Sequence, residues 1–174
     1  KRMFAPSSAQ AAVRQQVNIS EFSTILDFRA LNEPCNMEVV QRRISDIKSD
    51  FDKAQLRNAK FNRDPVWTDE KSAGYIHSLL TKTAPTEFLI WRLSGEDSTE
   101  DFDAFEGLEE VYDGGNRLNA IVRFMEDEYP IVIKPKVSCY FSQMPRQLCR
   151  IFNQTPMQCT VLRNCSESYV CEMA

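Results

Sequence analysis

Two adjacent glycines follow Asp113 in a chain of 174 residues that holds only five. They interrupt the stretch Glu110-Val111-Tyr112-Asp113-Gly114-Gly115-Asn116-Arg117-Leu118-Asn119-Ala120-Ile121, and nothing else constrains the fold as tightly. The apolar run Val111-Tyr112 stops at Asp113. Beyond the glycines, Leu118, Ile121, Val122 and Met125 recur at helical spacing. The pattern predicts a strand, a glycine turn and a helix, with Asp113 closing the strand and Arg117 in the first helical turn. Glycine is needed where a backbone takes positive φ or approaches another group closely. The free N–H groups of a helix's first turn, at the positive end of its dipole, form an anion site. Arg117 adds a guanidinium fork that matches phosphate or carboxylate. A tight turn with Asn116 as N-cap and Arg117 in solvent fits the same letters, and one glycine pair does not separate the two.

The remainder of the chain alternates both kinds of element. Residues 1–35 read as an N-terminal arm or linker, Ala-, Ser- and Gln-rich over its first 20 residues. Val40, Ile44, Ile47 and Phe51 recur every three or four residues and predict one long helix over 36–58. Asp69 is placed to cap a helix from Glu70 to Thr83, which Pro85 forbids from continuing. Glu87-Phe88-Leu89-Ile90-Trp91-Arg92-Leu93 reads as a strand buried on both faces. Ser94 to Gly107, with six acidic residues, reads as a solvated hairpin loop or insertion. Tyr129 to Ile133 gives another strand, Pro145 opens a helix through Phe152, Met157 to Leu162 a strand, and Ser166 caps a last helix. The class is α+β.

Composition closes off several functions. Hydrophobic content of 43% with 26% charged residues is that of an ordinary globular chain. No apolar run is long enough to span a membrane. A formal net charge of −4 argues against a dedicated duplex-binding surface. The six cysteines include no Cys-x-x-Cys pair, and His77 is the single histidine, which removes the zinc-finger reading. The thiols are expected to be reduced and structural, in an intracellular protein, cytoplasmic or nuclear. His77 is expected to be a half-buried helix residue rather than a base. The opening Lys-Arg-Met shows no signal-peptide pattern and suggests a piece of a longer protein.

The order Asn62-Arg63-Asp64-Pro65-Val66-Trp67, a helix, an apolar strand, then Asp113-Gly114-Gly115-Asn116-Arg117-Leu118-Asn119-Ala120-Ile121 is similar to the N-terminal domain of GmrSD-type restriction systems. That domain carries Gln-Arg-x-x-x-Trp and Asp-Gly-Gln-Gln-Arg-Leu-x-x-Ile on a ParB/sulfiredoxin-like fold, a small mixed sheet flanked by helices. The resemblance extends over 36–174. It implies binding of a nucleoside triphosphate, with Mg2+, and in some members its hydrolysis to control an attached nuclease. Carried onto this chain, Asp113 would position a water or metal and Arg117 would grip phosphate. Gly114 and Gly115 would cradle phosphate oxygens with Asn116 beside them, and Arg63 would close the pocket. Trp67 matches the family's tryptophan and is expected to pack. Gly115 and Asn116 stand where the family has its two glutamines, and Asn62 replaces the one before Arg63, so binding is better preserved than hydrolysis. The family's partner nuclease has a His-Asn-His-type metal site that this chain lacks; it is not a complete nuclease, and further domains or neighbouring subunits are expected.

Two other readings stand beside it. A ParB-like DNA-binding module would set Arg57, Lys60, Arg63 and Arg117 against nucleic-acid phosphates. A non-catalytic interaction protein of a large assembly, such as a minor capsid protein of a large DNA virus, would explain the arm, the altered motif and the cysteine-rich end, and would place the chain in a virion.

Overall fold

The computed structural model describes residues 35–60, 66–93 and 107–174, all within the compact unit Pro34–Ala174. The expected arm, the connection carrying Asn62 and Arg63, and the acidic stretch from Ser94 to Glu106 lie outside the described residues.

The elements in order are β1 (Asn36–Arg43), α1 (Ile44–Asp52), β2 (Leu56–Asn58), α2 (Asp69–Leu80), β3 (Glu87–Arg92), β4 (Glu109–Asp113), α3 (Gly115–Met125), β5 (Ile131–Lys134), β6 (Val137–Cys139), α4 (Arg146–Asn153), β7 (Pro156–Arg163) and α5 (Glu167–Met173). A 3-10 turn, Phe141–Gln143, precedes α4. Five strands form one mixed sheet in the order β1-β7-β3-β4-β2. β1 is antiparallel to β7, β7 parallel to β3, β3 antiparallel to β4, and β4 parallel to β2. β5 and β6 make a separate two-stranded ribbon. With five α-helices among the described residues, the class is α+β, as expected.

Successive strand residues face opposite sides, so the two faces of the sheet have different covers. Phe88, Ile90, Val111, Met157, Cys159 and Val161 belong to one buried cluster with Ile44 and Ile47 of α1, Ile76 and Leu79 of α2, Leu118 and Ile121 of α3, and Phe152 of α4. The other cluster joins Trp91, Tyr112 and Leu162 to Cys165 and to Val170 of α5. β3 therefore buries side chains on both faces, as its sequence predicted.

The long helix predicted over 36–58 is a strand, a helix and a second strand. Only Ile44, Ile47 and Phe51 keep the helical period; Val40 belongs to β1, opposite Cys159. Eight residues of β1 pair with β7, and that ladder outweighs a local period that Val39-Val40 serve equally well as β-branched strand residues. The helix ends where Ala54 takes φ 57° and the Gln55 N–H donates to Asp50 O, a left-handed stop made without glycine. Smaller boundaries shift in the same way. Thr68, not Asp69, caps α2, its Oγ1 accepting from Lys71 N at 3.3 Å, and the helix stops at Leu80. The strand expected from Tyr129 begins at Ile131, while Ser166 does cap α5, accepting from Tyr169 N.

Candidate functional site

β4 carries two glutamates that almost vanish from solvent, and these hold the strand that delivers Asp113. Glu109 is 4% exposed and accepts from Arg42 of β1 (2.8 Å to Nη2, with a second contact from Nη1) and from Arg92 of β3 (2.9 Å to Nε). Burial alone would push its pKa up, yet the two guanidinium partners hold it below the ordinary glutamate value. Glu110, 3% exposed, accepts from Arg57 Nε at 2.8 Å across the β2–β4 pair. These charges are spent on joining strands.

At the end of β4, Asp113 emerges with its side chain 59% exposed. Gly114 follows at φ +103°, ψ 5°, the left-handed region, and serves as N-cap of α3. A Cβ placed on it would lie 2.4 Å from Phe88 Cδ1 and 2.8 Å from Cε1. The bare backbone thus lies against the Phe88 ring, which is why only glycine fits. Gly115 is already the first helical residue, so the pair divides its work: one glycine turns the chain, the other starts the helix. The Leu118 N–H closes the first helical hydrogen bond onto Gly114 O at 2.8 Å, and the first turn holds no acidic residue.

Arg117 folds back over the turn. Its Nη2 donates to Asp113 Oδ2 at 2.9 Å, and its Cζ sits 5.8 Å from the centre of the Phe88 ring. The side chain is 14% exposed. It also lies close enough to Tyr75 to oppose the upward push that burial gives that phenol. The guanidinium is therefore aimed by Asp113, Phe88 and Tyr75 rather than free in solvent, and one face of the pair remains open through Asp113.

Asn116 is neither the N-cap nor a free amide. Its Oδ1 accepts from Val66 N at 3.0 Å and from Trp67 N at 3.3 Å, pinning the segment before α2 to the first turn of α3. Trp67 packs edge-to-face on Tyr75 with centroids 5.5 Å apart, under Lys71, in the packing role expected of it. The structure thus brings Asp113, Gly114, Gly115, Asn116 and Arg117 together at one strand–turn–helix, while Arg63 lies outside the described residues. Of the basic set considered for DNA, Arg57 is bound by Glu110, Arg117 by Asp113, Lys60 stands exposed, and Arg63 lies outside the described residues. His77 is exposed in the last turn of α2, not half-buried. Phe88, the platform of the site, is in sequence only part of a buried strand; no local letter marks a ring that must face a glycine.

Cys139, Cys159 and Cys165 are buried, and burial pushes the Cys159 thiol up to about 11. No group of three or more His, Cys, Asp or Glu side chains surrounds a metal-sized point among the described residues. No helix among them is long and apolar enough to cross a membrane.

No family model matches this chain, and neither a curated protein nor a solved structure is significantly similar to it.

Proposed function

We propose that the turn Asp113-Gly114-Gly115-Asn116-Arg117 binds the phosphate groups of a nucleotide, in a domain of ParB/sulfiredoxin-like type with a regulatory rather than a nucleolytic task. The observation that carries this reading is the Arg117 guanidinium, held over Phe88 by Asp113 in the first turn of α3. A phosphate at that turn meets helix N–H groups and a pre-aimed fork of donors without first ordering a long side chain. A single exposed carboxylate, Asp113, suits magnesium that arrives on the nucleotide, since that ion is commonly held by one or two carboxylates together with substrate phosphates. Bound there, the ion would neutralise phosphate charge next to Asp113. Hydrolysis has less support: Gly115 has no side chain to orient water, and the Asn116 carbonyl is occupied by Val66 and Trp67.

The test is calorimetric titration of a nucleoside triphosphate, with and without magnesium, on the whole chain and on Arg117→Ala. The expected result is saturable binding that Arg117→Ala weakens by about 10- to 100-fold, the loss of one charge-assisted contact of about 1.5–3 kcal/mol. No binding by the unaltered chain, or equal affinity in the variant, would remove the reading.

A further inference from the structure

The described residues include nine arginines, and six of them face a carboxylate. Arg42 and Arg92 meet Glu109, Arg57 meets Glu110, Arg117 meets Asp113, Arg123 meets Asp69 and Glu128, and Arg163 meets Glu38. The other three, Arg43, Arg146 and Arg150, have no carboxylate at ion-pair distance among the described residues, and all three line one groove of about 520 Å³. The groove runs between the β1–α1 junction and α4, with Ser45, Ser142 and Asn153 on its walls. Two acids border the groove and both are engaged: Asp46 by the Arg43 N–H at 3.4 Å and the Ser45 hydroxyl at 3.1 Å, and Asp127 by the Ser142 N–H at 2.9 Å.

Chance does not readily sort charges this way. In a chain of net charge −4, an arginine on the surface has carboxylates at hand, and the ones with structural work have found them. Three guanidinium groups without a carboxylate partner at one concavity repel one another, and an anion from outside would relieve that repulsion. Arg146 and Arg150 stand one helical turn apart, about 6 Å along the axis of α4, with Arg43 supplied by another element. Three guanidinium groups carry more positive charge than a single phosphate dianion neutralises. Asn153 continues the same stripe along α4.

We propose that this groove binds a ligand bearing two or more phosphates, the chemistry shared by a nucleic-acid strand and a nucleoside polyphosphate. It is separate from the site at Gly114 and does not depend on it. The guanidinium forks take phosphate oxygens pairwise.

The experiment measures fluorescence anisotropy of a labelled thymidine 20-mer against the whole chain over a series of salt concentrations. The double variant Arg146→Gln/Arg150→Gln is compared with Arg163→Gln, which alters an arginine already paired with Glu38. Urea midpoints of all three chains establish that each is folded. Binding should fall tenfold or more in the double variant. The slope of log affinity against log salt should shrink by about 1.4, the value for two single-strand phosphate contacts. Arg163→Gln should leave both unchanged. A parallel titration uses a nucleoside triphosphate on Arg117→Ala, which silences the turn site. Strand binding with the arginine dependence assigns the phosphates to nucleic acid; triphosphate binding alone, with that dependence, assigns them to a free polyphosphate. No binding of either at low salt, or equal losses in the double variant and in Arg163→Gln, overturns the proposal.

Discussion

At Gly114 two costs meet in one methyl group. Alanine there would hold φ at +103°, where an L side chain is strained, and would push its Cβ into the Phe88 ring. Phe88 is 3% exposed and packed between neighbouring strands, so it has little room to give. Gly114→Ala should therefore lose about 3 kcal/mol, the sum of a left-handed penalty and overpacking. Equilibrium unfolding in urea measures it directly. A loss below about 1 kcal/mol would mean that the turn can relax and that Phe88 does not define it. Arg117 depends on the same ring, so the glycine that turns the chain also seats the guanidinium that the proposed function needs.

Among the elements, α5 is the one whose removal should matter most to the second face of the sheet. It is only seven residues long, yet Val170 is fully buried against Trp91, Tyr112 and Leu162. Its start is secured by Ser166 and by the Tyr112 hydroxyl, which donates to Glu167 Oε1 at 3.1 Å. Val170→Ala deletes two methyl groups from a dry contact and should cost about 2 kcal/mol in transfer and cavity terms together. The urea midpoint reads this, and an unchanged midpoint would show that α5 adds nothing to the fold. Short helices of this kind hold their shape through packing rather than propensity.

Across the whole molecule, Glu109 is where distant parts of the chain are tied. Through Arg42 and Arg92 it links β1, β3 and β4, elements separated by up to 67 residues in sequence. Because its pKa is held below that of an unfolded glutamate, it contributes stability that is fully present above pH 4.5 and lost as pH falls through the folded value. Glu109→Gln should lower stability by about 3 kcal/mol at neutral pH, since two half-buried guanidinium groups lose their counter-charge. The same variant should flatten the decline of the urea midpoint below pH 4.5. A pH profile identical to that of the unaltered chain would show that other carboxylates govern acid unfolding.

Local chemistry was enough for the strand–turn–helix at Asp113, for the cap at Ser166, and for the α+β class. At the turn a glycine, and at the cap a hydroxyl, imposes a backbone state on its immediate neighbours. It was not enough for residues 36–58. There a helical period and a strand-forming valine pair compete, and the choice falls to β7, more than a hundred residues away. Nor could it assign charges. Glu109 and Glu110 sit beside an acidic stretch that reads as solvated, and only the sheet brings Arg42, Arg57 and Arg92 to them. The residue types of the turn site, the glycines, Asp113 and Arg117, were determined by sequence because they act within five consecutive positions. Which arginines are free, and that Arg43, Arg146 and Arg150 share a groove, was decided by tertiary structure alone. Pairing between charges is a property of distance in space, and sequence separation carries no information about it.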